Sequence, residues 1–205
     1  MWQLIIEDFI GFWVVIDPIG TIPVFIAVTK SLPAKQRRNT AIKAVIFAAL
    51  ILLFFLGAGQ LLLEALKIPL ISFQIAGGII LFLFGLTMIF GDSKPEQEEQ
   101  LKIEEGLDCA VFPLAIPSIA SPGAMLAAVV LTDNLRFDLD NQLVTASVML
   151  TVLLVTLLLL LCANSILRII GKAGAGIVSR VMGLILAAVA TEHVLSGLKI
   201  YFQSA

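Results

Sequence analysis

The chain alternates between long apolar stretches and short polar connections. Six of the stretches reach roughly the 20 residues that a helix needs to cross a bilayer. They cover residues 9–28, 41–64, 71–90, 111–131, 143–163 and 178–198. Because the stretches cover 127 of the 205 residues and leave little for a soluble domain, the pattern predicts an all-α membrane protein with six transmembrane helices.

Two of the six stretches are interrupted near their centres, by Asp17-Pro18 in the first and by Ser121-Pro122 in the fourth. Aspartate and serine are favoured N-cap residues, and proline is favoured at the first position of a helix. Each pair therefore predicts the start of a new half-helix. We expect the first and fourth helices to be broken, with both breaks near the bilayer midplane.

The two halves of the chain share residues at a nearly constant offset. The matching pairs are Pro18 and Pro122, 104 positions apart, Thr29 and Thr132, 103 apart, and Gly78 and Gly183, 105 apart. Each half holds three apolar stretches, so the second half enters the membrane from the opposite side. This predicts two inverted three-helix repeats, 1–91 and 109–205, as in many secondary transporters. The acidic segment 92–108 is predicted to be a cytoplasmic linker between them.

The basic residues are distributed unequally between the connections. Ten of the 13 lysine and arginine residues lie in or beside the first, third and fifth connections, and three lie elsewhere. Cytoplasmic connections of membrane proteins are enriched in basic residues. The distribution therefore predicts that these three connections face the cytoplasm and that both termini lie outside.

Composition argues against several other classes of function. Hydrophobic residues make up 60% of the chain and charged residues 14%, with a net charge of −2. No basic stripe interleaved with aromatic residues supports nucleic-acid binding. The chain has one histidine and two cysteines without metal-ligand spacing, so neither an enzyme nor a bound cofactor or metal is predicted.

The residues around the two breaks are the candidate substrate site. Free N–H groups at the start of a half-helix favour a carboxylate, and a carboxylate such as that of Asp17 could hold an ammonium group. Both ends of a small zwitterionic substrate would then be satisfied, although Asp17 could also serve only as a helix cap. The predicted site residues are Asp17, Pro18, Gly20, Pro23, Gly77, Gly78, Ser121, Pro122 and Gly123.

Two further features of the sequence each have two interpretations. Gly77 and Gly78 could let helices approach the breaks, but small residues also serve ordinary helix packing. Glu192 and His193 lie near the outer end of the sixth stretch, where they are either solvated at the membrane interface or part of a proton pathway.

Four segments, in order, resemble the motifs of the MarC family of multiple-antibiotic-resistance-related membrane proteins. The run from Asp17 to Phe25 is similar to a DPxGxxPxF signature, and 75–82 resembles an SGGIILF segment with Ala76 in place of serine. Residues 113–124 resemble a PLAIPxxxGPGA region with Ser121 in place of glycine, and 182–186 match MGLIL. The resemblance implies a six-helix protein of a bacterial or archaeal inner membrane.

These patterns lead to one principal hypothesis and two alternatives. The first is a secondary transporter of small neutral amino acids, coupled to H⁺ or Na⁺, with its substrate at the midplane between the broken helices. The protein would contact the lipid bilayer and bind a small zwitterion. Its sequence is compatible with a homo-oligomer. One alternative is a membrane protein that supports or senses another complex without transport. The resemblance to the MarC family implies the other, a LysE-like exporter of amino acids or drugs.

Overall fold

The computed structural model describes residues 2–29, 32–90, 108–132 and 139–204. These ranges are helical and contain no strand, which confirms the predicted all-α class. The linker predicted at 92–108 lies outside the described residues except for Asp108. The helices are α1 (Trp2–Ile16), α2 (Pro18–Thr29), α3 (Ala34–Ala65), α4 (Leu70–Phe90), α5 (Pro122–Val130), α6 (Leu139–Leu161) and α7 (Ala163–Ser204).

An irregular segment, Ala110–Ile119, precedes α5. A proline removes a backbone donor, and it disfavours helical angles in the residue before it. Accordingly Phe112 and Ile116, which precede Pro113 and Pro117, have extended backbone angles. Both of these X-Pro peptide bonds are cis. The irregular segment and α5 meet at an angle of 55°.

Within the described ranges, four helices are long and apolar enough to span a membrane, and the bent pair of the irregular segment and α5 would make a fifth. The four spans are Ala34–Gly59, Ile71–Phe90, Asp140–Leu161 and Gly176–Gln203. The first predicted span, 9–28, is divided between α1 and α2, which have 15 and 12 residues. Neither is long enough to cross a bilayer alone, since about 20 residues are needed.

The helices pack around the two broken segments. The most extensive contact joins α4 and α7, while α3 packs on α6, on α5 and on the irregular segment. In turn α6 packs on α1 and α2, α7 packs on α2, and α4 packs on α5. The breaks therefore lie inside the bundle, enclosed by the four long helices.

The long helices have one buried face and one exposed apolar face. On α3, Ile46, Leu50 and Phe54 follow at intervals of four residues and are exposed, so they form one stripe. Ala44 and Ala48 of the same helix are buried against the bundle. In a bilayer such a stripe contacts lipid chains, which is consistent with the spans described above.

Candidate functional site

The first break is at Asp17, between α1 and α2. Asp17 has a positive φ of 48°, a conformation that aspartate tolerates better than most residues. Its carboxylate Oδ1 accepts a hydrogen bond from the backbone N–H of Gly20 at 3.0 Å, and its carbonyl accepts one from the hydroxyl of Thr21 at 3.0 Å. Asp17 is buried, with 2% of its surface exposed. Its side chain therefore caps α2, as one of the two interpretations of the sequence predicts.

The second break is at Ser121, where α5 begins. Ser121 is an extended N-cap residue, Pro122 is the first residue of the helix, and the Ser121 hydroxyl oxygen accepts a hydrogen bond from the backbone N–H of Ala124 at 3.1 Å. The same hydroxyl donates to the backbone carbonyl of Val15 at 2.9 Å. Ser121 is fully buried, so this group connects α5 to the end of α1.

The two breaks cross each other inside the bundle. Besides the bond from Ser121 to Val15, the hydroxyl of Ser118 donates to the Thr21 hydroxyl oxygen at 3.3 Å. Val15 precedes the first break and Thr21 follows it, so the two bonds tie both sides of the first break to the second one. The interruptions predicted by the sequence are confirmed, and the structure brings them together. We call Val15, Asp17, Thr21, Ser118 and Ser121 the crossing.

Three of the predicted glycines, Gly77, Gly78 and Gly123, are packing positions. A Cβ atom on Gly77 would overlap the side chain of Leu126, and one on Gly123 would overlap Leu81. A Cβ atom on Gly78 would lie 3.0 Å from the carbonyl oxygen of Ala190 in α7. These glycines therefore allow close helix contacts. Pro23 lies within α2.

A cavity of about 440 Å³ extends along α1 to the crossing. Its walls come from α1, α4, α5 and α7, and Val15 of the crossing is one of its lining residues. Most of the lining is apolar, but five polar side chains also line it: Glu7, Asp8, Gln74, Glu192 and His193. A mainly apolar cavity with a few convergent polar groups is the usual form of a small-molecule site.

Asp8 is the most deeply buried polar group of this cavity, with 1% of its surface exposed. Its Oδ2 accepts a hydrogen bond from the hydroxyl of Thr145 in α6 at 2.6 Å. Among the described residues, Thr145 is the one hydrogen-bond partner of this carboxylate. A buried carboxylate is costly unless it is well paired, so its other oxygen is a suitable acceptor for a ligand that carries positive charge.

The other polar groups that line the cavity differ in their exposure. Glu192 is exposed and accepts a hydrogen bond from Ser196 at 2.9 Å. Gln74 is buried and donates to the backbone carbonyl of His193 at 3.3 Å. Glu7 is exposed. The carboxylates of Glu7, Asp8 and Glu192 give the cavity a negative potential, which attracts cations and ammonium groups.

A second, smaller cavity of about 230 Å³ lies between α3, α4 and α5 and is lined by Pro122 and Gly77. Leu81 and Leu126 line both cavities. Since these are the two leucines that fill the space above Gly123 and Gly77, the wall between the cavities depends on the two glycines. Neither of these cavities is lined by Asp17 or Ser121.

Comparison with known proteins identifies the family. The profile of the MarC family of integral membrane proteins matches residues 2–202. The chain belongs to the MarC family. The resemblance noted in the sequence is thereby confirmed over nearly the whole chain.

Several MarC relatives carry the name UPF0056 membrane protein. The one from Methanocaldococcus jannaschii is 38% identical over 199 residues, which cover 96% of this chain and 97% of the relative. The one from Archaeoglobus fulgidus is 35% identical over 93% of this chain and 90% of its own length. The inner membrane protein YhgN of Escherichia coli K12 is 33% identical over 92% of this chain and 93% of its own length. No solved structure matches the chain.

Sequence reasoning about this MarC protein missed Asp8. Glu7 and Asp8 directly precede the first predicted span, 9–28, and neither was among the predicted site residues. The useful signal was that Ile5 and Ile6 continue the apolar pattern on the other side of the pair. Asp8 therefore lies within an apolar helix face, where a carboxylate needs a partner or a function.

The described part of this MarC protein contains no group of three or more His, Cys, Asp or Glu side chains arranged to hold a metal ion. Glu192, His193 and Asp8 line the same cavity, but they do not form such a group. The polar groups that line the cavity can bind a ligand through charge and hydrogen bonds.

Proposed function

We propose that this protein is a secondary transporter of small zwitterionic solutes, with neutral amino acids as the substrate class. The observation that carries the proposal is the 440 Å³ cavity, which leads along the buried carboxylate of Asp8 to the crossing of two broken helices. Broken helices that meet at mid-membrane are the usual binding elements of secondary transporters.

An inverted repeat is part of this proposal and is supported by the contact between α4 and α7. Gly78 approaches Ala190 and Val194, while Gly183 approaches Gly85 and Ile89. Adding 105 to the residue numbers of α4 converts each of these contacts into the other. Equivalent positions of α4 and α7 therefore make equivalent contacts, as expected for two copies of one unit related by a two-fold axis.

The helix contacts outside this pair support the same relation. The irregular segment packs on α3 as α1 packs on α6, and α5 packs on α3 as α2 packs on α6. Likewise α2 packs on α7 as α5 packs on α4. Each of these three contacts therefore has a counterpart with the halves exchanged. Alternating access would follow from rocking of one half against the other about the crossing.

The substrate path is divided between two places. Asp8 precedes Val15 by seven residues, or about 10 Å along an α-helix. A small amino acid cannot touch both places at once. We assign Asp8 to the first capture of the ammonium group. The carboxylate is assigned to the start of α5, where Pro122 lines the smaller cavity on the other side of Leu81 and Leu126. Because the Asp17 carboxylate caps α2, Asp17 holds the break in shape in this scheme.

The test is uptake of labelled glycine, alanine and serine by liposomes that contain the purified protein, with and without imposed H⁺ and Na⁺ gradients. We expect uptake by the unsubstituted protein, and a gradient dependence that identifies the coupling ion. Asp8→Asn should raise the substrate concentration for half-maximal uptake at least about tenfold, since a hydrogen bond to a charged group contributes about 1.5–3 kcal/mol. Glu7→Gln, a change at an exposed position of the same cavity, should have a much smaller effect.

The outcomes separate the alternatives. Absence of uptake under every gradient, in a sample with intact thermal unfolding, would exclude the transporter and favour a protein that supports another complex. Uptake that is unchanged in Asp8→Asn would keep transport but remove the proposed role of Asp8. Accumulation only in inside-out orientation would favour an exporter.

A further inference from the structure

A separate cavity of about 310 Å³ lies at the other end of the bundle, where α3 begins and α6 ends. It is lined by two guanidinium groups and by no acidic residue. Its principal lining residues are Arg37, Arg38, Asn164, Phe25, Leu160 and Leu161. The cavity therefore combines concentrated positive charge with an apolar wall.

Arg37 is held in place at this cavity. Its guanidinium donates a hydrogen bond to the Asn164 side-chain oxygen at 3.0 Å and lies 5.9 Å from the centre of the Phe25 ring. Neither contact neutralises its charge. The N–H donors of the Arg37 guanidinium are thus partly fixed in position before a ligand binds, which lowers the entropic cost of binding.

Arg38 supplies a second, unpaired charge. It is exposed, and within the described ranges it has no hydrogen-bond or ion-pair partner. The ion pair found in these ranges joins Lys43 to Asp108 instead. Two adjacent guanidinium groups without a carboxylate repel each other, and a bound anion would relieve this repulsion.

The start of α3 adds to the same potential. Pro33 is its N-cap residue and makes no side-chain capping bond. The first N–H groups of a helix lack partners within the helix, and they carry partial positive charge. Since Ala34 lines the cavity, these groups lie at its edge beside the two arginines.

The cavity also lies where two candidate membrane spans end. One candidate span begins at Ala34 and another ends at Leu161. Leu160 is buried and Leu161 is 43% exposed, so the apolar wall continues onto the lipid-facing side of α6. Basic groups at a membrane surface bind anionic lipid headgroups.

From these observations we propose that the cavity binds a phosphate group that carries net negative charge. Arg37 and Arg38 would bind its oxygens through paired N–H donors, the preferred geometry for phosphate. The phosphate can come from an anionic lipid headgroup or from free phosphate, and the experiment distinguishes the two. The site is independent of the proposed transport function.

The test uses the purified full chain in detergent and counts bound lipid by native mass spectrometry, with thermal unfolding in parallel. The probes are phosphatidylglycerol, phosphatidylcholine and inorganic phosphate. We expect phosphatidylglycerol to bind more tightly than phosphatidylcholine and to raise the unfolding temperature. Arg38→Ala should weaken this binding about fivefold, since one basic residue near an anionic surface contributes about 1 kcal/mol. If free phosphate is the ligand, inorganic phosphate alone should raise the unfolding temperature and Arg38→Ala should abolish the effect.

Lys35→Ala is the matched control, because Lys35 is a neighbouring exposed basic residue that does not line the cavity. It should leave binding within twofold of the unsubstituted protein. Equal losses in Lys35→Ala and Arg38→Ala would show general attraction to the basic surface and would overturn the proposal. So would equal binding of the two lipids without any effect of inorganic phosphate. Arg38→Lys, which keeps the charge but not the paired donors, should retain part of the binding.

Discussion

Gly85 and Gly183 face each other at the contact between α4 and α7. A Cβ atom on Gly85 would lie 2.9 Å from the Gly183 carbonyl oxygen, and a Cβ atom on Gly183 would lie 2.9 Å from the Gly85 carbonyl oxygen. The relation is reciprocal, and both positions exclude a larger residue without movement of the backbone. Small residues that bring helix backbones together are a common device of membrane helix packing.

Gly85→Ala should therefore destabilise the protein. The added methyl group meets backbone atoms, which cannot rotate away, and overpacking of this kind costs about 1–3 kcal/mol. Thermal unfolding in detergent measures the effect. Gly57→Ala is the control, because a Cβ atom there meets no atom within 4 Å and alanine is the better helix former. An equal unfolding temperature for Gly85→Ala and the unsubstituted protein would contradict the close contact.

Ser121→Ala should destabilise the protein by weakening the contact between the two broken helices. It removes the cap of α5, which contributes about 1 kcal/mol, and leaves the Val15 carbonyl without the Ser121 hydroxyl, at about 1–3 kcal/mol for a buried group. We expect a lower unfolding temperature. Ser147→Ala in α6 is the control, since its exposed hydroxyl donates to Leu143 of its own helix. Similar small effects of both changes would argue against a structural role for the crossing.

Thr145→Val should destabilise the site around Asp8. The hydroxyl of Thr145 donates to the buried carboxylate at 2.6 Å, and a hydrogen bond to a charged group contributes about 1.5–3 kcal/mol. Thr151→Val is the matched control on the same helix, where the hydroxyl donates to Ser147 at an exposed position. The unfolding temperature should fall for Thr145→Val and change little for Thr151→Val. The reverse order would show that Asp8 does not depend on this bond.

Acid should weaken the connection between α3 and the irregular segment. The backbone N–H of Ala110 hydrogen-bonds to Asp108 and, with Lys43 at 3.2 Å, holds the pKa of the Asp108 carboxyl below its ordinary value of 3.8. A pKa lowered on folding stabilises the folded state above pH 3.8. This stabilisation is lost as the pH falls through the lower, folded-state pKa.

Unfolding temperature as a function of pH tests this connection. Asp108→Asn should show a smaller decrease than the unsubstituted protein as the pH falls below about 4, because it has no carboxylate to protonate. The pair is exposed, so the difference in stability should stay below about 1 kcal/mol. Lys43→Met should show part of the same change. Parallel curves for all three proteins would contradict a contribution from Asp108.

The two breaks could be predicted because their causes are local. Proline removes a donor and restricts the residue before it, whatever surrounds it, and the capping bonds of Asp17 and Ser121 reach only three residues along the chain. The apolar stretches predicted the positions of the long helices for a similar reason. The boundaries of the last helix were less accurate. The stretch Ala163–Ser204 is interrupted at Gly171, which has a φ of 70°, and its candidate span covers Gly176–Gln203 where 178–198 was predicted.

Asp8 and Arg37 show what local patterns could not predict. The partner of Asp8, Thr145, is 137 residues away along the chain, and the partner of Arg37, Asn164, is 127 residues away. The pattern around Asp8 is that of an acidic flank before a helix, and the pattern around Arg37 is that of a basic loop. Both became candidate binding residues only because other helices cover them.

Local chemistry in the sequence thus specified the membrane helices, their two interruptions and the family. Folding decided which polar groups are buried together, because burial depends on helices that are distant in sequence and adjacent in space. It brought Ser121 against Val15, placed Asp8 beside a cavity, and used the Asp17 carboxylate to cap its own helix. The sequence shows which residues are present. Their surroundings, and therefore their chemistry, are set by the packing of the helices.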